Sequence, residues 1–261
     1  MSLIVLPVSQ PQSRSHIGYQ NLLELGTVVS SSEDAAFPAA NAFDWNTFDY
    51  FRPAGTGTIN ITLTLPSGME ADYFAFYGQD IYLNGGNIRL QYYDGANWID
   101  ATAGITPSDN KPRMVLFDGI TATQWRVQVQ TSALFNLACV SFGKRLTLEH
   151  GSYMNWTPPE LARTADVVSN ISDRGVLLGR SVIATGISTD LVLQFASDAW
   201  VRANWPAFVK HAESKPFFWL ANARDYPVDA VLCWTRGQIP PPTHTQYGHM
   251  GTTIPVDGVA E

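Results

Sequence analysis

The chain is predicted to be mainly β with a single α-helix in its second half, and three observations carry that prediction. Apolar and polar residues alternate from Ile59 to Leu65, with Ile59, Ile61, Leu63 and Leu65 set against Asn60, Thr62 and Thr64, the period of a half-buried strand. Glycine, asparagine, aspartate and proline punctuate a series of short apolar runs, as turns between strands require. Only 15% of the 261 residues are charged, against about a quarter in ordinary soluble domains. Twenty glycines, 16 prolines and 12% aromatics favour short strands over long amphipathic helices.

Taken in order, Met1 to Pro7 is a short apolar run without a basic flank. It is too short for a signal peptide or a membrane span and reads as an N-terminal strand. The strand from Ile59 to Leu65 is expected to end at Pro66-Ser67-Gly68. Tyr73 to Tyr77, Ile88 to Tyr92, Val115 to Phe117, Trp125 to Val129 and Ala138 to Phe142 follow as separate short strands, a cadence typical of a β-sandwich. After residue 145, Val176 to Ala184 and Leu191 to Phe195 read as strands. Ser197-Asp198 offers an N-cap to a helix whose apolar set is Trp200, Val201, Trp205, Phe208 and Val209. Pro206 is expected to kink that helix or split it near Trp205, because proline removes a donor and crowds the preceding turn. Lys215 to Leu220, Val228 to Trp234 and a last strand around Met250 to Val256 complete the pattern, with Pro240-Pro241-Pro242 extended before the end.

Size permits one large or two medium domains. A formal charge of −7 with 16 basic residues and no basic cluster argues against nucleic acid as a partner, since such binding rests on counterion release by Lys and Arg. Cys139 and Cys233 sit among apolar residues and read as small buried hydrophobes, so a reducing compartment is expected.

Signals for chemistry are weak. The five histidines form no metal motif, and His244 and His249, beside Tyr247, read as loop residues. There is no nucleophile elbow, reactive cysteine context or phosphate loop. The carboxylate pairs Glu33-Asp34, Asp44 with Asp49, and Asp225 with Asp229 fall in predicted turns, where acids commonly cap backbone groups. The expectation is therefore no enzyme, no catalytic residue, no resident metal and no cofactor. A calcium-bound turn at Asp44, Asn46 and Asp49 stays open.

Two resemblances add to this reading. Phe37-Pro38-Ala39-Ala40-Asn41-Ala42-Phe43-Asp44, then Tyr93-Asp94-Gly95-Ala96-Asn97-Trp98, then Trp125-Arg126-Val127-Gln128-Val129 resemble the discoidin or coagulation-factor C-type jelly roll, a galactose-binding-like sandwich. That resemblance implies a ligand face built from loops at one end of the sandwich. On it, the segments 44–50 and 80–86 would project there, and Trp45, Asp49, Tyr50, Arg52, Tyr82 and Asn84 become the candidate ligand-binding residues. Trp45 and Phe48 can equally pack the base of the sandwich.

Phe142-Gly143-Lys144-Arg145-Leu146, Ser172-Asp173-Arg174-Gly175 and Leu178-Gly179-Arg180-Ser181, with Trp205-Pro206-Ala207-Phe208 and Lys215-Pro216-Phe217-Phe218 downstream, are similar to the distal tail proteins of tailed bacteriophages. This resemblance implies a tail-tube-like split β-barrel with one helix, built from residues 1–20 and 146–261, which carries residues 21–145 as a discoidin-like insertion. It implies a virion protein of the tail tip or baseplate, a hexameric ring joined to the tail tube and to other baseplate or fibre proteins, and a sandwich facing fibres or a host surface glycan. The alternative is a carbohydrate-binding adhesin whose jelly roll is the working part.

Overall fold

The computed structural model describes residues 14–151 and 156–259. The expected strand at Met1 to Pro7 lies outside the described residues. The elements are strands β1 (His16–Gly18), β2 (Thr27–Ser30), β3 (Gly57–Gln79), β4 (Asn87–Tyr93), β5 (Trp98–Asp100), β6 (Arg113–Thr131), β7 (Leu137–Gly143), β8 (Leu146–Thr147), β9 (Arg163–Ile171) and β10 (Leu177–Ser197). Helix α1 (Asp198–Ala212) follows, then β11 (Phe217–Leu220), β12 (Ala230–Thr235), β13 (Thr243–Gln246) and β14 (His249–Gly258). The protein is mainly β, with two antiparallel sheets and one α-helix.

One sheet has the order β2-β3-β6-β4-β5, with β7 paired to the later half of β3, beyond the half that pairs with β2. Pro66-Ser67-Gly68 does not end a strand as expected. The ladder between β3 and β6 slips between Thr64 and Met69 and then resumes, so both strands run through a corner and contribute to both layers of a sandwich. The alternation read from Ile59 to Leu65 holds: those apolar side chains are buried and join Phe74, Phe76, Trp125, Val127, Val140 and Phe142 in one core. Tyr73 to Tyr77 is buried without alternation, because both faces of that stretch are covered. Phe74 and Phe76 fill the sandwich core, while Tyr73, Ala75 and Tyr77 face the other sheet.

The second sheet has the order β8-β1-β11-β12-β14-β10-β9, with β13 paired to β14, and no ladder joins β8 to β9 among the described residues. Residues 16–18 thus pair with strands from the second half, His16 opposite Leu220 and opposite Thr147. Helix α1 covers one face through Val201, Trp205, Phe208 and Ala212, which pack on Phe217 and Trp219 of β11. Ser197 caps it as expected, its Oγ accepting from Trp200 N at 3.3 Å while Glu149 holds Ser197 from behind. The split expected at Pro206 does not occur, and the helix is continuous from Asp198 to Ala212. Pro206 and Arg202, whose carbonyl loses its donor, both lie on the exposed side, and the four buried residues anchor the turns before and after the proline.

A third core joins the two sheets. Tyr73, Ala75, Tyr77, Met114, Leu116 and Cys139 from the sandwich meet Phe218, Leu220, Ala223 and Leu232 from the second sheet, with Trp45 at one side. Tyr73 Oη donates to Gln20 O at 2.8 Å and lies 2.6 Å from Ser141 Oγ. A Cβ at Gly18 would stand 2.5 Å from the Tyr73 ring, so glycine is what allows β1 to pass there. The chain returns from β7 to β8 through Lys144, paired with Glu70, and Arg145, whose backbone N donates to Asp72 Oδ1 at 2.6 Å. Both cysteines are buried and free, and burial pushes their thiols upward.

Two predictions follow from this packing. Replacing Trp45, whose indole donates to Glu24 and stands edge-on to His211 at 5.3 Å, by alanine costs about 3–5 kcal/mol in urea unfolding; a loss below about 1 kcal/mol would show that the seam does not depend on it. The second prediction concerns pH. His16 is held from its ordinary 6.5 down to about 3 by burial, then by Arg145 and Arg14. Asp229 is pushed up to about 6 by partial desolvation, then by Glu160. The unfolded state binds the extra proton of His16, so its contribution is complete above pH 6.5 and is lost at up to about 1.4 kcal/mol per unit as pH falls towards 3. The contribution of Asp229 runs the other way, present below its ordinary 3.8 and lost as pH rises through 6, and solvent screening weakens it. Urea midpoints between pH 7 and pH 4 should therefore fall less steeply in His16→Gln and more steeply in Asp229→Asn than in the wild type. An unchanged slope in His16→Gln refutes the assignment.

Candidate functional site

The corner at Pro66-Ser67-Gly68 folds the long strands back on themselves, which brings the start of β3, the end of β3 and the start of β7 to the same end of the sandwich. Three segments meet there. Phe51 forms an isolated bridge to Leu137, its N–H donating to Leu137 O at 2.9 Å, so residues 50–52 lie beside the turn that leads into β7. Asp80, directly after β3, accepts from Asn136 N through Oδ1 at 2.6 Å and starts the single turn Ile81–Asn84.

Arg52 is the centre of this end. Its Nε donates to Asn136 Oδ1 at 2.9 Å, and one Nη lies 3.3 Å from Tyr50 Oη. The guanidinium carbon stands 4.8 Å from the Phe37 ring and 5.2 Å from the Tyr50 ring, and those rings are stacked at 4.8 Å with 9° between their planes. Arg52 thus spends two of its five N–H donors within the protein and is held by two rings and an amide, while it and both aromatics remain partly exposed. Glu33 supports the same loop by accepting from Ala39 N at 3.1 Å. A polar groove of about 430 Å³ opens at this end, lined by Thr58, Asn84, Asn87, Gln130 and Ser132 among others.

Among the residues the sequence singled out, Tyr50 and Arg52 are in direct contact, and Asn136 and Asp80 connect them to the turn that carries Tyr82 and Asn84. Tyr82 is half-buried, and Asn84 is exposed at the groove. Asp49 is partly exposed, but its Oδ1 is shut from solvent without a partner, and lost hydration, with Asp44 nearby, raises its pKa. Of the two readings open for Trp45, its burial agrees with packing: it is 4% exposed, has a backbone φ of 68°, and joins the core between the sheets. Phe48 is instead 83% exposed and does not pack the base of the sandwich.

Asp44 holds Asn46 by hydrogen bonds from its backbone and side-chain nitrogens, and no group of three or more His, Cys, Asp or Glu that could hold a metal occurs among the described residues. Of the carboxylate pairs named from sequence, Glu33 caps Ala39 N and Asp34 caps Ala36 N, while Asp225 accepts from the side-chain amide of Asn222, whose own oxygen caps that turn. Asp229 does face another acid, but it is Glu160 rather than Asp225. His244 lies at the rim of α1, 4.0 Å from Asp198. Phe37 and Asn136 were missed as site residues. Phe37 lies within the discoidin-like run and so carried a signal. Asn136 reaches Arg52 across 84 residues by strand register alone.

No family model matches the chain, and no curated protein matches it. Among solved structures, it is similar to a pectin-binding carbohydrate-binding module at 17% identity and a TM-score of 0.39, covering 46% of this chain and 91% of that one. It is similar to a module of family 32 from Clostridium perfringens, in complex with GalNAc-β-1,3-galactose, at 18% identity and 0.39, covering 45% and 94%. A chitosan-binding module from a chitosanase/glucanase of Paenibacillus sp. IK-5 aligns at 21% identity and 0.41, covering 48% and 99%. Likenesses at this score, over less than half of the chain, carry no weight for what this protein binds.

Proposed function

We propose that the protein binds glycans through the loop end of its sandwich and has no reaction of its own. The observation that supports this reading is Arg52: a guanidinium fixed by Asn136, Phe37 and Tyr50, with donors to spare at a partly exposed surface. A sugar offers vicinal hydroxyls that accept from such a fork and C–H faces that lie on aromatic rings, and preorganised donors reduce the ordering cost of binding. Tyr82 and Asn84 would extend the contact along the adjoining groove. Isothermal titration against a panel of galactosides, N-acetylgalactosaminides, pectin and chitosan oligosaccharides tests the reading. Arg52→Ala is expected to weaken binding at least about tenfold, the worth of one charged hydrogen bond, whereas Trp45→Ala changes affinity little in the folded fraction. No binding by the wild type, or full affinity in folded Arg52→Ala, refutes the reading.

A second reading is a ring component of a phage tail tip, joined to tail-tube and fibre proteins, with the sandwich as an inserted domain facing outward on the virion. It is favoured by one observation: residues 16–18 complete a sheet made otherwise from residues 146–258, with one helix across it, so that the sandwich at 21–145 interrupts a second unit. The two readings are compatible, since a ring can display sugar-binding sandwiches.

A further inference from the structure

The sandwich has a second polar face, separate from its loop end. Residues 27–30, 57–65, 87–93, 98–100 and 121–131 form its front layer, from which Ile61, Leu63, Leu90, Trp125 and Val127 turn inward to the core. The alternate positions, Asn60, Thr62, Arg89, Gln91, Arg126 and Gln128, therefore face outward. The seam with the second sheet uses the other halves of β3 and β6, and so leaves this face open to solvent. Along the strand residues of this layer the charged side chains are Arg89, Arg126 and Asp100, two cations to one carboxylate in a chain of formal charge −7.

Thr62, Arg126, Gln91 and Asp100 stand side by side across four strands. Arg126 Nε donates to Gln91 Oε1 at 2.6 Å, and its guanidinium carbon lies 4.4 Å from the centre of the Trp98 ring, which leans on Tyr93. Gln91 is 7% exposed and turns its amide nitrogen to Asp100 Oδ1 at 2.6 Å. Arg89 donates to the other oxygen of Asp100 at 3.2 Å and to Asn87 Oδ1 at 3.3 Å. Both oxygens of Asp100 are thus taken, and Asp94, in the turn before Trp98, spends Oδ1 on the backbone nitrogens of Ala96 and Asn97. Asp100 reaches Arg126 only through Gln91. The four Nη N–H donors of Arg126 have no partner among the described residues, and the side chain is partly exposed.

We propose that this face is a second glycan site, selective for acidic saccharides, with Arg126 taking a uronate carboxylate. With Nε spent on Gln91, the two Nη groups form an end-on fork that matches the two oxygens of a carboxylate. Gln91 and the Trp98 ring hold that fork in place, so binding costs little ordering. The row of amides beside it marks the ligand as a saccharide rather than a simple anion. Asn60 and Gln128 hold one another at 3.1 Å next to Arg89, and Asn87 lines the groove at the loop end. Amides donate and accept as hydroxyls do. From Asn87 to Tyr93 the track is about 20 Å long at about 3.3 Å per residue. This site goes beyond the loop-end reading and does not depend on Arg52.

The test is isothermal titration of the full chain with a galacturonate tetrasaccharide and with its methyl ester, the same sugar without its charges. The wild type is expected to prefer the acid by at least about tenfold, the worth of one charged hydrogen bond, and to lose that preference as salt screens the contact. Arg126→Gln should bind acid and ester alike. Arg126→Lys, which keeps the charge and loses the fork, should fall between the two and serves as the test if the glutamine variant does not fold. Arg52→Ala, although it weakens the loop end, should keep the preference. No binding of the acid by the wild type, or equal binding of acid and ester, overturns the proposal. A preference that survives in Arg126→Gln, or that vanishes in Arg52→Ala, also overturns it and leaves the loop-end reading standing. Displacement of the tetrasaccharide by an equal concentration of acetate at matched ionic strength shows a general anion contact and overturns the saccharide assignment.

Discussion

The constraint on which the rest of the structure depends is that the second half of β3 and the first half of β6, with β7, are buried on both faces. Sandwiches commonly leave one face of each sheet to solvent, which is why alternation is their usual signature. Here Phe74 and Phe76 point into the sandwich while Tyr73, Ala75 and Tyr77 point into a second core shared with β11 and β12. Strand β11 is divided in the same way: Phe217 and Trp219 pack beneath α1, and Phe218 and Leu220 pack against the sandwich. The inner strands of the two sheets thus serve as the shared walls of three cores. Separating the sheets would expose aromatic and aliphatic area from both sides and strip Gln20 O of its bond from Tyr73.

That arrangement accounts for details that otherwise look unrelated. Close approach of β1 to the Tyr73 ring requires Gly18, and Lys144 with Arg145 fastens the returning chain to Glu70 and Asp72. His16 stays neutral because it sits where the returning chain crosses β1, beside Arg145 and sealed from water. Lys215 reaches Glu24, which also receives the indole of Trp45, so one carboxylate ties the start of the sandwich to the segment after α1. The short linkers that enter and leave the sandwich are therefore pinned at both ends, unlike the few-contact linkers that let neighbouring domains swing.

What the sequence revealed follows the same physics. The strand at Ile59 to Leu65 was legible because one face is wet, and the helix was legible from Ser197 and its spaced aromatics. The corner at Pro66-Ser67-Gly68 was not, since a proline followed by a small residue reads as a stop whether the chain ends its strand or bends through a register slip. Double burial at Tyr73 to Tyr77 was invisible too: a continuous apolar run states that both faces are covered without stating by what. At the candidate site, Tyr50 and Arg52 were readable because they lie two residues apart on one loop. Asn136 was not, because only the pairing of β7 with β3 brings it to Arg52. Trp45 stayed open between loop face and packing because its neighbours are polar, and only its place in the core between the sheets shows that it is buried.

The rigidity of the seam bears on how the loop end of the sandwich is presented. Gln79 and Leu137, where β3 and β7 reach the loop end, belong to the same strands whose other residues form the seam. A sandwich anchored in this way presents Arg52 and its neighbours at a fixed angle to the second sheet. Arg52 is therefore held in place by Asn136 and two stacked rings, on a loop that joins strands which cannot shift without breaking the seam. A group fixed in this way loses little freedom on contact with a ligand, whereas a guanidinium on a swinging sandwich would have to be ordered first. The double-sided burial of Tyr73 to Tyr77 is thus the feature that keeps the loop end preorganised.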